Sequence, residues 1–119
     1  SIQLNTPFNT VSFWAKINQL PGQGEAYLLS HGGWQERWKI SLPSHGKPVY
    51  STKSNNGNSD MDADSVVLSL NKWVHLVMTH DSANNKIYIN GALKNSKAAA
   101  GNLLNSTKPF GFGFDPSTG

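Results

Sequence analysis

Apolar and polar residues alternate along most of this chain with a period of two, as in strands that bury one face. Over residues 10–17, Val11, Phe13, Ala15 and Ile17 fall on one side, with Ser12, Trp14 and Lys16 on the other. Trp38, Ile40 and Leu42 alternate with Lys39 and Ser41 in the same way and are expected to point inward. Shorter strands are predicted at residues 2–4, 26–30, 49–52 and 66–70. A last one is predicted where Phe110, Phe112 and Phe114 alternate with Gly111 and Gly113. Trp14 is expected to pack, because large aromatics dominate sheet cores.

The strongest pattern spans residues 73–91. Val74, Leu76 and Met78 share one face, and Trp73, His75, Val77 and Thr79 share the other. Bulk on both faces predicts a central strand covered on both sides. The small polar residues 81–85 close a hairpin, and Asn90-Gly91 tolerates the positive φ of the next tight turn. Residues 20–24, 43–48 and 54–59 read as loops by composition. No helix-period segment of useful length occurs. Residues 97–100 make at most one helical turn, which Gly101 stops.

The run NKWVHLVMTHDSANNKIYINGAL (residues 71–93) resembles the laminin G-like jelly roll of the concanavalin A-like lectin/glucanase superfamily. In that family a Trp-x-His-hydrophobic strand leads through an Asp-bearing turn to a Tyr-hydrophobic-Asn-Gly strand. The strand carrying Phe13-Trp14 resembles a second family strand. The resemblance covers most of residues 1–114. It implies an all-β, two-sheet antiparallel jelly-roll sandwich forming a single domain over residues 1–119. It also implies a non-catalytic recognition module that binds carbohydrate or protein, secreted, extracellular or at the cell surface, with a periplasmic location as a variant. The alternatives are an accessory domain of a larger secreted glycosidase or protease with no ligand of its own and, after it, a catalytic glucanase fragment. Family members carry a further strand at each end, so the chain is expected to be a fragment of a longer polypeptide whose other domains are partners. Unpaired terminal strands would template association.

Charge and composition narrow the partners. The net charge of +3 comes from nine Lys and one Arg, scattered without a basic run. A nucleic-acid interface shows a clustered footprint, and none is expected. No apolar stretch approaches the roughly 20 residues of a membrane span, so no membrane insertion is expected. Cysteine is absent, which excludes disulfides. One glycosylation sequon occurs at Asn105-Ser106-Thr107.

The acidic residues bear on catalysis and metal binding. Retaining glycoside hydrolysis needs two carboxyl groups about 5 Å apart. The only two glutamates, Glu25 and Glu36, stand eleven positions apart and no Glu-x-Asp pair occurs, so no enzyme is expected. Asp60, Asp62 and Asp64 alternate in a predicted oxygen-rich loop, the kind of set that meets Ca²⁺. Asp81 with Asp115 forms a second calcium candidate, suggested by the rim carboxylates of some family members. A structural Ca²⁺ is the one candidate cofactor, against a solvated acidic loop for the first set and a turn cap for Asp81. His75 and His80 are five apart and cannot share a metal on one strand, and no zinc spacing or nucleophile elbow is present. The remaining candidate is His31 with Trp34, Gln35, Glu36 and Arg37, in a Gly-rich turn. An exposed indole beside polar side chains suits a sugar ring, and Trp and Arg equally suit a protein partner.

Overall fold

The computed structural model describes residues 5–113. The expected strand at residues 2–4, the end of the Phe-Gly strand at Phe114 and the calcium candidate Asp115 lie outside these residues. Nine strands form two antiparallel sheets, and no helix occurs among the described residues. Sheet A contains β1 (Asn9–Lys16), β6 (Trp73–His80), β7 (Asn84–Ile89) and β8 (Ala92–Ala98), in the order β1-β6-β7-β8. Sheet B contains β2 (Glu25–His31), β3 (Trp38–Pro43), β4 (Val49–Ser54), β5 (Gly57–Asp62) and β9 (Phe110–Phe112), in the order β5-β4-β3-β2-β9. This is the two-layer jelly-roll sandwich that the alternation and the family resemblance imply.

The core sits where the inward faces meet. β6 contributes Val74, Leu76 and Met78, and β7 contributes Ile87 and Ile89; opposite them lie Trp38, Ile40 and Leu42 of β3 with Tyr50 and Met61. Asn90 and Gly91 both have positive φ, at 51° and 84°, as a tight β7–β8 turn requires. At the other end of β6, Asp81 Oδ1 accepts the amides of Ala83 and Asn84 at 3.0 and 2.8 Å and holds the β6–β7 turn.

Three expectations are corrected. Residues 57–62 are strand β5 rather than loop, because Val49 to Ser54 pair with them residue by residue. Residues 66–70 form no strand. A turn from Ala63 to Val66, with Asp64 at φ 58°, breaks the extended path, and only Leu68 of the run is fully buried. Residues 97–98 extend β8 instead of starting a helical turn, since β7 pairs with them.

One margin of the sandwich is stitched shut. Lys97 Nζ donates to the Asp60 carbonyl at 2.8 Å and Asn95 Nδ2 to the Asp62 carbonyl at 2.9 Å, joining β8 to β5. At the opposite margin β1 and β9 are the last strands of their sheets among the described residues, and a cleft lies between them.

Candidate functional site

The turn between β2 and β3 splits the residues expected to bind ligand. Gly32 has φ 73°, and a Cβ there would stand 2.8 Å from the Glu36 Cβ, so the turn closes tightly on glycine. Trp34 and Gln35 are exposed on it. Glu36 is half-buried and accepts the Ser106 hydroxyl at 2.9 Å. His31 and Arg37 turn inward, which corrects the expectation that both face a ligand on this rim. His31 packs edge-on against Phe110 at 4.8 Å. Arg37 Nη1 donates to the carbonyls of Thr6 at 3.0 Å and Leu104 at 2.8 Å, tying two distant loops together.

Burial, and then the Arg37 charge, hold the His31 pKa below its ordinary value of 6.5. The folded state therefore keeps His31 neutral, while the unfolded chain takes up its proton first as pH falls. The stability this contributes is complete above about pH 6.5 and declines below it. Melting temperature is expected to fall between pH 7 and 5, with a shallower fall in His31→Gln.

Glu25, Asp60 and Asp62 line one cavity on sheet B, and Asp81 is not among its lining. Asp60 and Asp62 alternate along β5; Asp60 accepts the Ser51 hydroxyl, and Asp62 Oδ1 accepts the Asp64 amide at 2.8 Å. Asp81 belongs to a turn of the other sheet, and the amides of Asn84 and Ala83 hold its carboxyl below the usual carboxylate range. Among the described residues no three His, Asp or Glu converge as a metal cluster. Glu25 is paired with Lys39 at 2.7 Å and accepts the Ser41 hydroxyl at 2.9 Å.

The outer face of sheet A carries what the sequence reading assigned to packing. Trp14 is 64% exposed and so is Trp73, so β6 is central in its sheet but covered on one side only. Register places Trp14 opposite His75, and Lys16 opposite Trp73. The Trp14 and His75 rings stack with centroids 5.0 Å apart and planes inclined at 30°. Ser12 Oγ lies 2.7 Å from His75 Nε2 and fixes the imidazole from its edge. Tyr88, paired with Val77, and exposed Leu93 continue the surface. None of the four strands of this sheet contains Asp or Glu, while they carry Lys16, Lys86, Lys94 and Lys97. A usable signal was present: Trp14 shares its face with Ser12 and Lys16, which are polar, rather than with Val11 and Phe13.

Fold and surface together define a jelly-roll domain that offers an aromatic face. The chain belongs to the concanavalin A-like lectin/glucanases superfamily, whose laminin G-type model matches residues 2–119. No curated protein sequence matches it. Among solved structures it is similar to the receptor-binding domain of botulinum neurotoxin mosaic serotype C/D, at 25% identity and a TM-score of 0.62 over 77% of this chain and 24% of that one. It is also similar to the binding domain of botulinum neurotoxin DC in complex with SialylT, at 24% identity and a TM-score of 0.63 over 85% of this chain and 26% of that one. The same binding domain in complex with rat synaptotagmin II matches at 22% identity and a TM-score of 0.60, over 79% and 24%. The chain thus spans about a quarter of the length of these structures, and the likeness below 25% identity concerns the fold.

Proposed function

We propose that this domain is a non-catalytic, extracellular recognition module that binds saccharide across the outer face of sheet A. The observation that carries the reading is the exposed Trp14–His75 stack beside Trp73. Indole faces meet the C–H surface of a pyranose ring, and Ser12, Lys16 and Thr79 stand on the same face to meet its hydroxyls. Two exposed tryptophans are otherwise hard to account for on the surface of a single domain. The receptor-binding character of the similar toxin domains, one of them in complex with SialylT, supports the same class of partner.

A glycan panel read with the intact domain tests this. Trp14→Ala and Trp73→Ala are each expected to weaken the best-bound glycan at least tenfold, about 1.4 kcal/mol, with melting temperature little changed. Trp34→Ala and added chelator are expected to leave binding intact. Binding that survives both sheet substitutions and disappears in Trp34→Ala would move the site to the β2–β3 turn.

A further inference from the structure

The cleft between β1 and β9 has a volume of about 360 Å³, and Asn9, Ser12, Arg37, Trp38, Phe110 and Phe112 are among its lining residues. That volume falls within the range of small-ligand sites. Arg37 is fully buried, and the single ion pair among the described residues is Lys39–Glu25, elsewhere in sheet B. Its Nη1 is spent on two backbone carbonyls, and its buried Nε–H has no acceptor. Asn9 repeats the situation. Its Oδ1 accepts the Tyr50 hydroxyl at 2.7 Å, and its buried Nδ2 has no acceptor. A shielded cation with no counter-charge among the described residues is costly, and so is a buried donor without an acceptor. An anionic, acceptor-rich group relieves both. Trp38, Phe110 and Phe112 supply apolar walls, and Phe112 is 71% exposed.

We infer that this cleft is a binding site for the carboxylate of an acidic sugar unit, with Arg37 and Asn9 as its donors. The site is separate from the aromatic face, although Ser12 borders both, so a longer glycan seated here by an acidic residue runs onto Trp14. Guanidinium and amide N–H groups take the carboxylate oxygens in charge-assisted hydrogen bonds, and the ring lies against the aromatic walls.

Titration calorimetry with glucuronate and with glucose, run on the intact domain and on Trp14→Ala, separates the cleft from the sheet face, because the substitution removes the exposed stack. Glucuronate is expected to bind at least tenfold more tightly than glucose, and Trp14→Ala to leave this preference intact. Asn9→Asp keeps the acceptor for Tyr50, removes the free donor and places a carboxylate in the cleft. It is expected to reduce glucuronate affinity at least tenfold without lowering the melting temperature. If that variant fails to fold, Thr10→Glu, at an exposed position on the cleft lining, introduces the same negative charge. No saturable binding of glucuronate, equal affinity for glucose, or unchanged affinity in the folded acidic variant would each overturn the assignment. Loss of glycan binding in Trp14→Ala alongside any of these results would leave the sheet-face reading standing.

Discussion

Leu76→Ala is expected to lower the free energy of unfolding by about 3 kcal/mol, the usual scale for removing a buried leucine from a packed core. Leu76 is 0% exposed in the middle of β6, paired to Phe13 on one side and Ile89 on the other. Both neighbours are themselves strand-bound, so little can collapse into the space left behind. For a chain of 119 residues, that loss corresponds to a fall of about 12 °C in melting temperature. Val77→Ala, one residue along and facing outward, serves as the control. A drop no larger at Leu76 than at Val77 would mean that the inward face of β6 is assigned wrongly.

Asn85→Ala carries the second large effect, for a different reason. Asn85 is fully buried; its Oδ1 lies 2.7 Å from His80 Nδ1, and its Nδ2 donates to Thr52 Oγ1 at 2.8 Å. His80 Nε2 in turn lies 2.8 Å from the Gly101 carbonyl. The chain of bonds therefore crosses from sheet A to β4 of sheet B, polar matter inside an apolar layer. Removing Asn85 strips partners from two buried groups at once, each loss costing about 1–3 kcal/mol. The expected total is about 3 kcal/mol, measured by denaturant unfolding. Thr52→Val should cost less, because it removes one partner and leaves the His80 contact in place. Equal costs for the two substitutions would contradict this account.

Where side-chain alternation is strong, the fold was legible in the chain. Val74, Leu76 and Met78 against Ile87 and Ile89 announce two paired strands, and Trp38, Ile40 and Leu42 announce their facing partner. β5 was hidden because its six residues, Gly57 to Asp62, hold one apolar side chain, Met61. It becomes a strand through backbone pairing with β4, a long-range property that residue pattern does not encode. β8 is obscure because Leu93 is its one large apolar side chain. The candidate site divided along similar lines. Trp34 is exposed in its turn as expected, but the direction of Arg37 depends on carbonyls 31 and 67 residues away in sequence. Residue type alone points Trp14 inward, whereas the polarity of Ser12 and Lys16 on the same face points it outward, where it lies.

The absence of carboxylates from the strands of sheet A has an effect beyond contact distance. Sheet B's strands hold Glu25, Asp60 and Asp62 against Lys39 and Lys53, so they are close to neutral while those of sheet A are positive, and the molecule carries a permanent front and back. Near a polyanionic coat, such a body turns its lysine-bearing side forward while still a Debye length away, roughly 8 Å in physiological salt. Trp14 and Trp73 then arrive already facing the coat, and less of each encounter is lost to rotational search.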